Sequence, residues 1–463
     1  MSLSPEQILA LAPDPASAKA GSGQATASYW SGLGANAQAM WGLCQGSGKE
    51  PYRTQIELAG PAFKCSCPSR KFPCKHGLGL YLLFAKQAAL FAASEAPEWV
   101  NDWLQSREQR TEKKAAQAQE AALQDAALSP EQLAARDKAQ QKRQDKRAQN
   151  VAQGIELLDT WLQDLAREGL AGLKSKPASG WEAMAARMVD AQAPGLAYRI
   201  RKAGSLIYGN SGAHWELPVG RELAQLALIS QCHARLEQFG APLQADIRSA
   251  IGWVTPQEEA LAEPALTDVW QVCGNQTRLD DRISRRAIYL RGQQSGRWAM
   301  LLQFAAGGQN LPSPMLPGAC YSGGLHFYPG ATQLRAVFAE DMQAGSVPQA
   351  QLQATSQPLT DQLQHYASQL ASNPLLDDYP MLLPAVTPVC LPASATRAEA
   401  AWLLRASDGN ALPLDPAFTQ PWLLHALCGG NEASVFGLWD GAGFMPLTLS
   451  TPTRMHSFDM ELS

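Results

Sequence analysis

Three cysteines and one histidine fall within twelve residues as Cys65-x-Cys67-x6-Cys74-x-His76. Three thiols and one imidazole make a complete donor set for a tetrahedral zinc ion. The spacing suits that chemistry. Residues i and i+2 of an extended turn point the same way, so each Cys-x-Cys or Cys-x-His pair can bite one ion. The residues between the pairs let the chain reverse, and Pro68 and Pro73 stiffen that loop without needing donors. Lys64, Arg70, Lys71 and Lys75 surround the four, with no acidic residue from Lys64 to His76. That positive charge offsets the thiolates and lowers their pKa values. Four protein ligands leave no position open to water or substrate, so the site reads as structural rather than hydrolytic. Its binding energy, on the order of 10 kcal/mol in small zinc peptides, becomes folding energy for the piece that holds it. The bland alternative, buried free cysteines, asks for a coincidence of paired spacings. A dithiol redox role lacks its Cys-x-x-Cys.

The elements around the cluster follow from periodicity. Ser4-Pro5-Glu6-Gln7 signals a short helix, after which Ala, Ser and Gly read as a loop. Ala39, Trp41 and Leu43 alternate, Gln45 to Gly48 turn, and Tyr52, Thr54, Ile56 and Leu58 alternate again, which predicts a hairpin. Gly46-Ser47-Gly48-Lys49 resembles a phosphate loop only superficially: Leu43 stands where such a loop needs Gly, and Glu50 where it needs Ser or Thr. An apolar helix is expected from Gly77 to about Phe91, followed by Trp99 and Trp103 on one helix face.

Farther along, residues 105–150 are rich in Ala, Gln, Lys, Arg and Glu with almost no apolar stripe, which predicts a solvated helical linker restarted by Ser129-Pro130-Glu131-Gln132. From Val151 the stripe returns through Ile155, Leu158, Leu162 and Leu165, and more helices are expected at about 180–193 and 220–239. Beyond 250 the pattern changes to short strands: Trp270–Val272, Ala287–Leu290, Trp298–Phe304, Leu325–Tyr328, Leu334–Phe338, Trp402–Leu404, Val435–Trp439 and Pro446–Leu449, with a helix at 361–371. The expected fold is a multidomain α+β chain: a small ββα-type zinc finger domain (1–104), a charged helical linker (105–150), a helical domain (151–250) and a β-rich α+β domain (251–463).

The finger motif resembles the SWIM-type zinc finger, whose pattern is C-x-C, a spacer, then C-x-H. Cys44-Gln45-Gly46-Ser47-Gly48, Pro51-Tyr52-Arg53 and the run from Cys65 to His76 look like bacterial stand-alone SWIM proteins of this length. Arg187-Met188-Val189-Asp190-Ala191-Gln192-Ala193-Pro194-Gly195-Leu196 and Ser295-Gly296-Arg297-Trp298-Ala299 fit the same group, so the resemblance covers most of the chain. It implies two strands followed by the ligands and a helix, in agreement with the hairpin and the helix after His76. It also implies zinc, binding of DNA or protein, and association with a MoxR-type AAA+ ATPase and a von Willebrand factor A protein.

Composition narrows the function classes. The 463 residues carry a net charge of −4, which excludes a basic nucleic-acid coat. The two halves differ. Residues 1–250 hold 28 basic and 24 acidic side chains, whereas 251–463 hold 10 and 18, and the last lysine is Lys202. No apolar run reaches membrane-spanning length and no signal peptide is legible, so a cytoplasmic protein is expected. Nine cysteines, six of them scattered singly, fit reduced thiols plus one metal site. His214, His326, His365, His425 and His456 have no partner at ligand spacing, Cys232-His233 reads as a core Cys beside a surface His, and Asp280-Asp281 and Asp377-Asp378 read as solvated or capping pairs. No Ser/His/Asp order, dinucleotide fingerprint or His-Glu-x-x-His is present, so no catalytic residue and no small-molecule substrate are assigned, and an enzyme in 251–463 has no motif behind it. The reading is a non-catalytic protein-interaction module. The alternative is DNA or RNA binding, with Lys64, Arg70, Lys71 and Lys75 joined by Arg136, Lys138, Lys142, Arg143, Lys146 and Arg147 on phosphates.

Overall fold

A computed structural model of the chain describes residues 5–109 and 130–462, apart from 10, 14, 47–49, 59–61, 70, 210–214, 281–282, 307–310, 313–314, 340–342, 345–351, 353–356, 394–399, 453–454 and 459–460. The chain opens with helices α1 (Pro5–Leu9) and α2 (Pro15–Gln24). The second corrects the expected loop. Its small residues serve close packing rather than flexibility. A Cβ on Gly21 would stand 2.7 Å from Leu78 Cβ, and one on Gly79 would stand 2.5 Å from Gln24 Cβ. Helix α2 therefore lies almost backbone to backbone on α3 (Lys75–Lys86).

The predicted hairpin is present as β2 (Ala39–Cys44) and β3 (Tyr52–Glu57), with Ala39 opposite Glu57 and Cys44 opposite Tyr52. It is part of a larger sheet. Strands β1 (Trp30–Ala35), β4 (Ala62–Cys65) and β5 (Ala92–Ala93) complete the order β4-β3-β2-β1-β5. Both faces of β2 are covered, which its alternation permits. Met40 and Cys44 face a core with Leu78, Leu80 and Tyr81 of α3. Ala39 and Trp41 face Val100 and Trp99 of α4, over 98–109. Helix α3 ends at Lys86 rather than near Phe91, because Phe91 folds back edge-on against Phe84 with ring centroids 4.9 Å apart.

The middle of the chain is helical. Helix α5 (Pro130–Glu168) starts at the predicted cap signal and continues unbroken into the bundle. Along its first half the described side chains are almost all exposed; farther on, Val151, Ile155, Leu158 and Leu165 are buried against α6 (Ala178–Asp190), α7 (Pro194–Tyr208), α8 (Glu216–Ala234) and α9 (Ala241–Ile251). The Asp190-Ala191-Gln192-Ala193-Pro194-Gly195 run is the tight α6–α7 turn, with Gln192 at φ 61° and Pro194 opening α7. A Cβ on Gly195 would stand 2.2 Å from the backbone oxygen of Ala250 and 2.9 Å from Ile251 C. Backbone cannot yield as a side chain can. Gly195→Ala is expected to cost about 3 kcal/mol, at the upper end for overpacking, read as a lower urea midpoint of bundle unfolding. An unchanged midpoint would show that α7 can shift away from α9.

After α10 (Gln257–Ala262) the chain builds two sheets. The first has β6 (Leu266–Asp280) at its centre, between β7 (Ile283–Gly292) and β9 (Cys320–Phe327), with β8 (Trp298–Ala306) and β10 (Ala336–Phe338) at its flanks. The short β11 (Gln343–Ala344) pairs β9. The Ser295-Gly296-Arg297 run is the β7–β8 turn. The Asp268 carboxylate accepts N–H groups of Gln294 and Ser295 at 3.1 and 2.9 Å there. Burial would raise its pKa, but the donors of Ser295, Gln294 and Val269 outweigh that and hold it below the usual value.

The second sheet follows α11 (Leu359–Ser372) and runs β14-β13-β12-β15-β16-β17. Its strands are β12 (Tyr379–Leu391), β13 (Ala401–Ala406), β14 (Ala411–Pro413), β15 (Ala433–Trp439), β16 (Phe444–Ser450) and β17 (Met455–Ser457), with α12 (Pro421–Cys428) before β15. The last strand, β18 (Glu461–Leu462), returns to pair β6 in parallel. The sheets share one core, where Tyr289 and Trp298 of the first meet Phe436 of the second at 5.8 and 5.4 Å. No helix among the described residues is long and apolar enough to cross a membrane. The architecture is mixed α+β: an N-terminal β unit holding the Cys/His cluster, a helical middle and a β-rich C-terminal region.

Candidate metal centre

The four residues converge because two elements end at one point. Cys65 is the last residue of β4, and Cys74 is the N-cap of α3, whose first turn carries His76. Cys67 sits in the loop between them. One ligand atom from each of Cys65, Cys67, Cys74 and His76 lies within 4.8 Å of all the others. His76 Nδ1 is 3.8 Å from Cys65 Sγ. A tetrahedral ion with sulfur arms of about 2.3 Å spaces its ligands about 3.8 Å apart, so the donor set fits zinc.

Supporting groups hold these donors in place, as metal sites require. Thr54, fully buried on β3 and in register with Cys65, has Oγ1 3.2 Å from Cys65 Sγ. The Tyr52 ring lies 5.0 Å from the His76 ring. The Cys74 thiol is held below its usual value, chiefly by its hydrogen bond with Cys65, against the effect of burial and with help from His76 and the Gly77 N–H. A thiolate at a helix N-terminus is also favoured by the helix dipole. Burial pushes the nearby Cys44 thiol up to about 11, although Lys75 pulls the other way.

Residues 52–84 match the SWIM zinc finger and residues 146–251 match the SWIM-associated four-helix bundle domain. The chain carries a SWIM zinc finger. No curated protein and no solved structure matches the chain.

Around the SWIM finger, Lys64, Lys71 and Lys75 are exposed, and Arg70 lies outside the described residues. The finger is stapled to the C-terminal region from behind. Leu316, in the β8–β9 connection, is buried in the finger core, while Met315 O accepts Asn275 Nδ2 of β6 at 2.7 Å. Tyr52 and Thr54 are legible in sequence only as strand residues, Tyr52 also within the Pro51-Tyr52-Arg53 resemblance, and Leu316 carries no motif. Their roles depend on strand register and on a contact far along the chain.

The other sequence candidates separate. Lys138, Lys142, Arg143 and Lys146 are exposed on α5, whereas Arg147 turns inward; the side chain of Arg136 is not described. His326 and His425 each bond a backbone carbonyl, of Glu263 and Pro388. His214 and Asp281 lie outside the described residues, and so does the side chain of Asp280. Asp377 is half in solvent, as the solvated reading expects, but both Asp377 and Asp378 also form ion pairs across the fold. Asp377 takes Arg199 of α7 at 2.6 and 2.7 Å, and Asp378 takes Arg278 of β6 at 3.3 Å. They edge a cavity of about 320 Å³ between bundle and sheets, where Arg221 pairs with Asp440 and Lys202 with Glu222. Its charges answer one another, so it reads as an ion-paired seam.

Proposed function

We propose that Cys65, Cys67, Cys74 and His76 hold one structural zinc ion, and that the SWIM finger so organised is a non-catalytic docking module for a partner protein. The observation that carries this reading is the closed Cys3His set: all four positions of a tetrahedral ion are taken by protein, which leaves nothing for hydrolytic chemistry. Exposed Lys64, Lys71 and Lys75 supply a basic rim for the partner. The acidic C-terminal half makes a long polyanion a poor occupant of the same molecule. We place the work in the cytoplasm, because none of the nine cysteines is in a disulfide. The first partner to offer is a MoxR-type AAA+ ATPase with a von Willebrand factor A protein, the pair the family resemblance implies.

The test is co-purification of that pair with the full chain, before and after charge reversal of Lys64, Lys71 and Lys75, alongside titration of duplex DNA. Capture that the reversal abolishes, with DNA affinity weak throughout, is the expected result. A finger that grips phosphates through three contacts would lose about 40-fold in DNA affinity from about 50 to 200 mM salt. Tight DNA binding with that slope, and no capture, would overturn the protein-docking reading.

A further inference from the structure

The end of α9 gathers two arginines with no carboxylate partner among the described residues. Helix α9 closes with Gly252 at φ +106°, its N–H bonded to Ser249 O at 3.0 Å and the Trp253 N–H bonded to Arg248 O at 2.8 Å. This closure fixes the Trp253 indole beside the helix it follows. Two guanidiniums stand over that ring, Arg147 from α5 at 5.4 Å and Arg248 from α9 at 5.9 Å. The beginning and the end of the bundle thus meet at one indole.

Neither arginine has a carboxylate partner among the described residues. Arg147 donates to Gly252 O at 3.2 Å and Arg248 to Gln244 Oε1 at 3.2 Å, both neutral acceptors. Burial, with the Arg248 charge adding to it, holds the His233 imidazole of α8 below its usual value. Two donors are left over. Arg147 Nε and Trp253 Nε1 are both buried atoms without a hydrogen-bond partner among the described residues. Each is an N–H, and a buried N–H left unpaired costs free energy, so both lack the same thing, an acceptor. A carboxylate supplies two acceptor oxygens and the missing negative charge at once.

We propose that the corner made by Arg147, Arg248 and Trp253 is a carboxylate-binding site through which the bundle holds an acidic segment of a partner protein. Two features favour a carboxylate over a nucleic acid. The guanidiniums occupy the indole as base stacking would. The C-terminal half, with 18 acidic against 10 basic side chains, opposes a long phosphate chain more than a short acidic segment. The site lies on the bundle and does not depend on zinc, so its failure would leave the finger reading untouched.

The test uses the full-length protein and a fluorescein-labelled hexaglutamate peptide, followed by anisotropy at low salt. Arg147→Gln with Arg248→Gln is expected to weaken binding at least about tenfold, and Trp253→Phe, which keeps the ring but removes the N–H, about threefold. Lys138→Gln with Lys142→Gln, exposed on the same helix, should change it less than about twofold. If the double arginine variant fails to fold by circular dichroism, Trp253→Phe decides alone. The proposal falls if wild type does not bind the peptide, if the lysine control weakens binding as much as the site variants, or if duplex DNA binds more tightly through the same arginines.

Discussion

Replacing Cys74 by serine is expected to strip zinc from the SWIM finger and unfold it while the bundle and both C-terminal sheets stay folded. Cys74 is the donor at which the loop from Cys67 becomes α3. A serine hydroxyl is a poor zinc ligand, so the ion keeps three donors and loses the one at the junction of loop and helix, leaving His76 as its one hold on α3. Structural zinc contributes on the order of 10 kcal/mol in small fingers. The core shared by α3 and the five-stranded sheet retains Met40, Ile56, Leu78 and Leu80, so part of the hydrophobic contribution survives. Elemental analysis should fall from one zinc per chain to none. Hydrogen exchange should rise in β3, β4 and α3. It should rise also around Leu316, whose burial depends on the finger core, and remain unchanged in α6–α8. Full zinc retention, or undisturbed protection of α3, would sink the assignment of Cys74 as a ligand.

Arg199→Met is the second large effect, at about 3 kcal/mol, because it uncouples two regions and strands a charge. Arg199 and Glu222 are each only 7 % exposed at the side chain and lie 3.1 Å apart inside the bundle. The same guanidinium crosses to Asp377 just before β12. Removing it leaves Glu222 buried with Lys202 alone, which is itself partly in water. The double variant Arg199→Met, Glu222→Met should recover most of the loss, since an apolar pair of similar volume is often as stable as a buried ion pair. Lys202 and Asp377 are exposed enough to turn to solvent. Chemical denaturation of the four members of this cycle measures the coupling. If the double variant is no better than the single one, the cost lies in lost packing rather than in an unpaired carboxylate.

The Pro-rich strand β12 shows where local reading stops. Tyr379 to Leu391 contains Pro380, Pro384 and Pro388, a pattern that argues against an interior strand. Yet β12 lies between β13 and β15. Its pairing is divided: residues 379–386 face β15 and residues 386–391 face β13. Pro380 therefore has a strand on the β15 side alone, Pro388 on the β13 side alone, and Pro384 lies in the irregularity between Leu383 and Val386, so none of them stands between two paired strands. That division is set by strands more than ten residues away. Helix α2 fails for the opposite reason, since its Ala and Gly residues carry no apolar stripe and are held by the close approach of α3.

What the residues determined alone was whatever their own chemistry makes local: the Cys3His donor set, the Tyr52–Leu58 alternation, the stripe from Val151 to Leu165 and the change to strands after 250. Those features act over spans of a few residues, so type and spacing suffice to read them. Tertiary structure decided which distant groups share a place. Thr54 supports Cys65 because β3 and β4 pair in that register. Leu316 completes a core some 250 residues upstream of it. Asp377 and Asp378 become interdomain anchors, and Arg147 leaves the basic face of α5 for Trp253. Long-range contacts of this kind follow from how whole surfaces pack, and packing is a property of the assembled chain.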